Sequence, residues 1–430
     1  MNAGKKRFLF ATWEGGGCVP PVLGVASRLL ERGHRVKVLA DPTIREEAEA
    51  AGCAFTPWRR APHRTDLLPE NDFIRDWETT NPISMLRRYR DTFLVGPAAD
   101  YAQDTLEALE REPADVFVPD YVLFGAIMAG EKAGVPTVAL VPNIWPLPVR
   151  GAPPFGSGLS PAKSALGRGR DALLYAFTHR LFQPALPRLN QVRRELGLAP
   201  LASFFDQPLS ARALLVLTSA SFDFCSRFVP PNVHYVGPVL DDPKWAASWK
   251  PPWDPANTDP LVLVAFSTTF QNQGATLRRV VDALAPLRVR ALVTLGEMMD
   301  AERVTSKGSV VVVRSAPHRE VMARAALVVT HCGHGTTLKA LAAGVPMVCL
   351  PMGRDQDDTA ARVVHRGAGV RLSPKASTRA ISRAVQEVLG DEKYRAAARS
   401  FGAVIEQECA RIDVAAELER FATPCGRRSA

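Results

Sequence analysis

The 430-residue sequence has no stretch of eighteen uncharged apolar residues, which argues against a membrane-spanning helix. It has no C-x-x-C pair, and its seven cysteines are scattered, which argues against a disulfide framework. It also lacks long basic runs: the net charge of +9 comes from dispersed residues, mostly arginines, as expected of a surface that meets small anions rather than nucleic acid. We therefore expect a cytoplasmic protein that binds neither nucleic acid nor a membrane.

The chain is long enough for two domains, and its pattern predicts two α/β halves. The first half opens with a short apolar strand, a glycine loop and an amphipathic helix, the beginning of a doubly wound sheet. The second half restarts at Leu261, after a stretch rich in proline. We predict a Rossmann-like domain over residues 1–238, a linker over 239–258, a second Rossmann-like domain over 259–402, and a C-terminal helix, 403–430, that crosses back to the first domain.

Buried strands are predicted at 7–12, 35–40, 116–118, 137–141 and 213–217 in the first half, and at 261–266, 291–295, 310–313, 327–330 and 347–350 in the second. Ligands of such sheets bind beyond the carboxyl ends of the strands. We therefore expect an interdomain cleft lined by the loops 13–18, 267–273 and 331–336. A stretch rich in proline and glycine, 142–161, is interpreted either as an acceptor contact or as an exposed connector.

The strongest chemical signal is the loop from His331 to Thr336. It follows a strand and carries Gly333 and Gly335, and Thr336 lies where a helix begins. The free N–H groups and the positive dipole of that helix start suit a phosphate, and His331 or His334 could add a donor. A zinc site is the weaker interpretation, because three ligands on one tight loop, with no fourth at a matching spacing, fit tetrahedral zinc poorly.

A second candidate pair follows the next strand, at Asp355 and Gln356. A carboxylate beside an amide suits sugar hydroxyls, which both donate and accept hydrogen bonds. The alternative for Asp355 is a helix N-cap, and both roles can hold together.

These motifs resemble the donor signature of the family 1 glycosyltransferases, which include natural-product enzymes of plants and bacteria. The likeness lies in H-C-G-x-G-T from His331, G-V-P from Gly344 and P-x-x-x-D-Q from Pro351, and it extends over nearly the whole chain. It implies the GT-B fold, with two facing Rossmann-like domains, and inverting transfer without a metal or other cofactor. A UDP- or dTDP-sugar would be the donor and a small apolar aglycone the acceptor, and a homodimer remains open.

The resemblance also implies roles for individual residues. His331 and Thr336 would bind the diphosphate, Ser267 and Thr268 the phosphates or the sugar, and Asp355 with Gln356 the hexose. The base would lie beside Ala316 and His318, where Ser315 stands in place of a stacking aromatic residue, which leaves UDP and dTDP both open. The candidate acceptor contacts are Trp13, Gly16, Gly17, Phe124 and Trp145, with core packing as the alternative for the aromatic residues.

The catalytic base is where this sequence departs from the family. Cys18 stands where relatives carry a histidine, and a thiol is a poorer base than imidazole. Asp120, which follows the strand at 116–118, matches the aspartate that supports that histidine. We favour Asp120 as the base, because a carboxylate of ordinary pKa is ionised near pH 7; a helix N-cap is its structural alternative. Cys18 as a thiolate and Glu14 are the other candidates.

Two other functions are considered. The missing histidine allows a weak or inactive transferase-like auxiliary protein that retains donor binding. A nicotinamide oxidoreductase is disfavoured, because the G-x-G-x-x-G fingerprint is absent after the first strand.

Overall fold

The computed structural model describes residues 4–79, 81–241, 249–267, 270–296 and 304–422. The strands and helices of the first half are β1 Arg7–Ala11, α1 Val19–Glu31, β2 Arg35–Ala40, α2 Arg45–Ala50, β3 Ala54–Pro57, α3 Pro82–Tyr89, α4 Ala98–Arg111, β4 Val116–Pro119, α5 Phe124–Ala133, β5 Val138–Val141, α6 Ala165–Phe182, α7 Leu186–Glu195, α8 Asp206–Leu209, β6 Ala213–Val216 and β7 Val233–Tyr235. Between α3 and α4 lies a π-helical stretch, Arg90–Val95.

The second half alternates strands and helices in the same way and ends in three helices. Its elements are β8 Leu261–Ala265, α9 Gly274–Leu284, β9 Arg290–Thr294, β10 Val310–Val313, α10 His318–Met322, β11 Leu327–Thr330, α11 His334–Ala342, β12 Met347–Cys349, α12 Gln356–His365, β13 Gly369–Arg371, α13 Thr378–Gly390, α14 Glu392–Arg411 and α15 Val414–Phe421.

Both sheets have the doubly wound strand order. The first sheet runs β3-β2-β1-β4 and continues through two isolated bridges from the β4 region to the β5 region, and then to β6 and β7. The second runs β10-β9-β8-β11-β12-β13. Every strand pair assigned among the described residues is parallel. In each sheet the order reverses beside the first strand, which places the ligand crevice at the ends of β1 and β4 and of β8 and β11.

The strands form because short runs of valine, leucine and alanine are buried on both faces. All five residues of β8 are buried, as are all four of β11. Apolar helix faces cover the sheets: α1 contributes Val22, Leu23 and Leu29 to the first core, and α9 contributes Leu277 and Val280 to the second. These cores fix the positions of the loops that follow β1, β4, β8 and β11.

The end of the described chain lies against the first half. Helix α14 continues through the predicted boundary at 402–403, and α15 follows it. Val414 and Leu418 of α15 join the apolar cluster that contains α1, and Glu419 accepts hydrogen bonds from Arg32. The crossing element observed is therefore α15. The division into domains itself stays a prediction. Among the described residues no helix is both long and apolar enough to cross a bilayer.

Candidate donor and acceptor site

The two switch points face each other across the boundary between the halves. His334, at the start of α11, forms a hydrogen bond of 2.8 Å from Nε2 to the Thr218 hydroxyl, which follows β6. On another side of the boundary, Arg354 forms a two-pronged ion pair with Asp76. Tyr89 interacts electrostatically with Cys18, Asp120 and Arg354, and Arg354 does so with His331, so the loops that follow β1, β4, β11 and β12 converge on one region.

The loop after β1 is held by its own side chains. The Glu14 carboxylate accepts from the Gly16 N–H at 3.0 Å and from the Thr43 hydroxyl at 3.3 Å. Gly16 has a φ of +70°, in the left-handed region that favours glycine. Gly17 is exposed beside it. Glu14 therefore fixes the shape of this loop, with Trp13 resting on Phe93 at a ring distance of 4.4 Å.

Cys18 lies at the N-cap position of α1, and its thiol donates to the Trp13 carbonyl at 3.8 Å. Burial raises the pKa of this thiol well above its usual value, and the nearby carboxylates of Asp120 and Glu14 raise it further. Near neutral pH the side chain is therefore a thiol, which weighs against a thiolate base.

Asp120 directly follows β4 and is only 2% exposed. Its Oδ1 accepts from the Val122 N–H at 3.2 Å, the Trp13 indole N–H lies within hydrogen-bonding reach of the carboxyl group, and Oδ2 has no close partner among the described residues. Helix α5 begins four residues later with Leu123 as its N-cap, so Asp120 does not cap it. Burial raises the pKa of Asp120 to about 7, so the carboxylate is only partly ionised at neutral pH. The expectation of a carboxylate with an ordinary pKa, fully ionised near pH 7, is therefore wrong.

The predicted phosphate loop forms a helix start. Gly333 is the N-cap of α11, whose first turn receives no side-chain capping hydrogen bond from the described residues. Thr336 lies in that turn, and Gly335 is exposed with open space around it. The first N–H groups of α11 are therefore oriented for an anion.

His331 packs against this turn. Its ring stacks on Phe266 at 6.0 Å and lies so close to Gly333 that a Cβ there would be 2.6 Å from Nε2. Nδ1 is buried without a hydrogen-bond partner in the described chain. Burial lowers the pKa of His331 to about 4; a hydrogen bond from the ring to the Ala265 backbone carbonyl acts in the opposite direction, and Arg354 lowers the pKa further. Because His331 and His334 engage different neighbours, the loop does not present its imidazoles as a joint metal site.

The loop after β12 places Asp355 at the N-cap position of α12, without a side-chain capping bond to any described residue. Burial raises the pKa of Asp355 to about 6. Gln356, by contrast, is 2% exposed and already engaged: its Oε1 accepts from the Met352 N–H at 2.7 Å and its amide donates to Gln271 at 2.8 Å. Gln356 therefore holds the loops after β8 and β12 together.

Three of the other predicted donor residues, Ser267, Ala316 and His318, can be placed in the structure. Ser267 is buried after β8, and its carbonyl accepts from Gln273 at 3.1 Å. Thr268 lies outside the described residues. His318 begins α10, and its Nε2 lies 3.1 Å from the Thr294 hydroxyl. Ala316 is half-buried beside it and packs on an apolar cluster of the second half.

Two of the predicted acceptor residues are core side chains. Phe124 is 3% exposed and packs on Phe204 at 5.4 Å. Trp145 is 2% exposed within a separate apolar cluster, and its backbone N–H donates to Asp223 at 2.6 Å. Of the two roles predicted for these aromatic side chains, core packing matches their positions better than acceptor contact.

The proline-rich stretch 142–161 contacts the second half. Asp358 of α12 accepts hydrogen bonds from the backbone N–H groups of Gly156 and, at 2.7 Å, Gly158. Nearby, Arg362 donates to Asp223 at 2.7 Å in a buried ion pair. Asp358, in the acidic first turn of α12, therefore helps to hold the two halves together. The sequence did not indicate this role.

Sequence reasoning also missed polar residues at the centre of the site. Tyr121 interacts electrostatically with Asp120, Cys18 and Asp355, and Tyr89 with Asp120 and Arg354. Tyr121 directly follows Asp120 and Arg354 directly precedes Asp355, so adjacency to predicted site residues was the available signal.

Comparison with known proteins agrees with this geometry. Residues 278–421 match the family described as erythromycin biosynthesis protein CIII-like, C-terminal domain. The chain is 33% identical over 396 residues to 4'-demethylrebeccamycin synthase of Lentzea aerocolonigenes, covering 90% of this chain and 93% of that protein. The glycotransferase of kitacinnamycin has a similar structure, with a TM-score of 0.75 and 21% identity over 97% of this chain and 99% of that one. Glycosyltransferase VinC in complex with dTDP has a TM-score of 0.65 and 17% identity over 97% and 99% of the two chains.

Proposed function

Because this chain belongs to the family 1 natural-product glycosyltransferases and has their GT-B fold, we propose that it moves a hexose or deoxyhexose from a UDP- or dTDP-sugar to a small apolar natural-product acceptor. The family makes the chain a nucleotide-sugar glycosyltransferase. The nucleotide, the sugar, the acceptor and the stereochemistry are our proposal.

The observation that carries the proposal is the start of α11. Its first-turn N–H groups lack a side-chain cap from the described residues, and the hydrogen bond from His334 to Thr218 shows that this start faces the other half. A diphosphate placed there would receive backbone donors and the helix dipole. We propose that His331, with its buried Nδ1 unpartnered among the described residues, adds a donor from the side chain.

A bound diphosphate would raise the pKa of His331 from its low value of about 4, because an adjacent anion favours the protonated ring. The leaving group would then be stabilised by α11 and His331, without a metal ion. The crystal structure of VinC, which has this fold, contains dTDP. That complex supports a nucleoside diphosphate as the ligand. Ala316 and His318 at the start of α10 are proposed to lie beside the nucleobase.

We propose that the sugar extends from the diphosphate toward Asp355. Its carboxylate is the available polar group of that loop, since Gln356 is tied to Met352 and Gln271. Gln356 is therefore proposed to act on the sugar mainly by holding Asp355 in place. Ser267 and Thr268, after β8, remain proposed donor contacts.

Asp120 is the proposed base. It lies across the boundary from α11, its Oδ2 has no described partner, and its pKa of about 7 suits a general base at neutral pH. The alternatives are weaker: Cys18 is held as a thiol, and Glu14 is occupied by Gly16 and Thr43. A base on the lobe opposite the diphosphate directs attack from the face away from the leaving group, which inverts the anomeric carbon.

The acceptor is proposed to lie over the loop after β1, with Trp13, Gly16 and Gly17 as contacts. Trp13 offers an aromatic surface, because it is half-buried and rests on Phe93. A flat apolar aglycone would be stabilised there by burial of its surface. The six described cysteines are free thiols, which supports a reducing, cytoplasmic location as part of the proposal.

The test is a transfer assay with UDP- and dTDP-sugars against a panel of aromatic and polyketide aglycones, read by product mass and by the anomeric configuration. We expect a product one glycosyl unit heavier, of inverted configuration, formed at an equal rate with EDTA. Donor binding with no transfer to any aglycone would instead support the auxiliary-protein alternative.

A further inference from the structure

Two buried oxygen atoms at the ends of neighbouring strands have no partner among the described residues. One is Oδ2 of Asp120, after β4, and the other is Oδ1 of Asn143, after β5. Both atoms are nearly inaccessible in the structure, and buried polar atoms of proteins are usually hydrogen-bonded. An unpaired buried acceptor is unfavourable, so two of them in one place call for a ligand that supplies donors.

The backbone brings the two residues to one edge of the sheet. Asp120 and Leu140 form a parallel bridge, and the Tyr121 N–H donates to the Leu140 carbonyl at 2.9 Å. The side chain of Tyr121 lies within hydrogen-bonding reach of Asn143 and also interacts with Asp355 of the other half. Asn143 therefore lies beside Asp120 and on the same side of the sheet as the donor loops.

We propose that Asn143 is a second acceptor-binding residue, whose Oδ1 receives a hydrogen bond from the aglycone while Asp120 receives the proton of the attacking group. The inference rests on the proposed function and deepens it. It predicts that the aglycone carries two hydrogen-bond donors on one polar edge, the nucleophilic O–H or N–H and a second O–H or N–H beside it. Tyr121 interacts with both Asp120 and Asn143.

This arrangement selects a class of acceptor. An aromatic molecule with a single donor would leave Asn143 unpaired after water is displaced, whereas one with two donors on one edge would satisfy both oxygens. A site built to hydrogen-bond a substrate group discriminates against analogues that lack the group. We therefore expect preference for polyhydroxylated aromatics, or for rings with adjacent O–H and N–H groups.

The test compares 2-naphthol with 2,3- and 2,7-dihydroxynaphthalene, which add a second donor at two spacings. Dissociation constants are measured by calorimetry on dTDP-saturated protein, together with initial rates of transfer. We expect the wild type to bind at least one diol about 10-fold more tightly than 2-naphthol, the size of one lost hydrogen bond. In Asn143→Ala this preference should disappear, and 2-naphthol should bind at least as tightly as it binds the wild type, because no oxygen is left unpaired.

Asn190→Ala is the matched control. Asn190 is also an inward-facing asparagine, but its amide is paired at both ends with the backbone of Leu201, at 3.0 and 2.8 Å. Asn190→Ala should lower the melting temperature and keep the preference for the diol. Asn143→Ala should not lower the melting temperature and should lose the preference. Equal wild-type affinity for the three naphthols, or an equal loss for all three in Asn143→Ala, would overturn the assignment. A wild type that binds neither dTDP nor UDP would instead refute the proposed function; if only UDP binds, the naphthols are compared on the UDP-saturated protein.

Discussion

Replacing Asp120 by asparagine tests the assignment of the base through both rate and stability. The wild-type carboxyl is 2% exposed, and burial moves its pKa from 3.8 to about 7. At 1.36 kcal/mol per unit, that shift corresponds to about 4 kcal/mol of penalty on the charged form in the folded protein. The ionised fraction then rises from about one tenth at pH 6 to about nine tenths at pH 8, following the pKa of about 7.

Because the base must be ionised to accept a proton, kcat/KM should rise about 10-fold between pH 6 and pH 8 and then level off. Asp120→Asn should lower kcat by about 10²- to 10⁴-fold and leave the KM for the donor nearly unchanged. Initial rates with a saturating nucleotide sugar, measured across pH 5–9, give both quantities. A flat profile in the wild type, or full activity in Asp120→Asn, would refute the assignment.

Stability gives an independent check. The folded protein holds the Asp120 proton more tightly than the unfolded chain, so this residue lowers stability as pH rises from about 4 to about 7. Asp120→Asn removes a buried charge, and its free energy of unfolding at pH 8 should exceed that of the wild type by up to about 4 kcal/mol. The gain should shrink toward pH 4, as followed by urea denaturation.

Asp41→Asn is the matched control, because burial also raises the pKa of Asp41 to about 7. Asp41 is structural: its oxygens accept from the backbone N–H groups of Arg64, at 2.6 Å, and Glu14, at 3.1 Å. At pH 8 the control should also gain stability from the lost buried charge, but by about 1–3 kcal/mol less than Asp120→Asn, because a backbone N–H loses its acceptor. Its pH–rate slope should persist. Loss of the slope in Asp41→Asn would assign the titration to Asp41 instead.

Three further outcomes are expected. Gly333→Ala should raise the KM for the donor about 10-fold or more, because the new Cβ would lie 2.6 Å from Nε2 of His331 and displace the ring. An unchanged KM would show that His331 does not take part in donor binding. Arg362→Met should lower the free energy of unfolding, measured by denaturation, by about 3–5 kcal/mol, because it leaves Asp223 with an uncompensated buried charge. Lys307→Met, which breaks an exposed ion pair, should change it by less than about 1 kcal/mol. Equal effects of the two variants would contradict a stabilising role for the buried pair. Dialysis against EDTA should leave the transfer rate unchanged, and restoration of a lost rate by Mg²⁺ would contradict metal-free transfer.

Local sequence pattern predicted much of the fold. The strands at 310–313 and 327–330 have the predicted bounds, because short runs of valine and leucine are distinctive. The second of them is buried throughout, whereas the first is half-buried at three of its four residues. The strands β3, β7 and β13 were not predicted. They are three or four residues long, and each has partly or fully exposed positions that dilute the apolar signal.

The features of the site that lie within a single loop could be predicted from the sequence. The features that depend on contacts between residues far apart in the chain could not. The helix start after His331 could be predicted because Gly333, Gly335 and Thr336 directly follow a buried strand. The raised pKa of Asp120 and the engagement of Gln356 by Gln271 depend on residues distant in sequence. The pairing of His334 with Thr218 joins positions 116 residues apart, which no local pattern encodes.

Calorimetric titration of the wild type and Thr336→Pro with dTDP and UDP tests the central claim most directly. Helix α11 begins at His334, so Thr336 is its third residue, and proline there removes a first-turn N–H that has no intrahelical partner. The account predicts that the wild type binds at least one nucleotide with EDTA present and that the variant binds it at least about 10-fold more weakly at unchanged melting temperature. Equal affinity in the two proteins would show that the diphosphate does not lie on the start of α11.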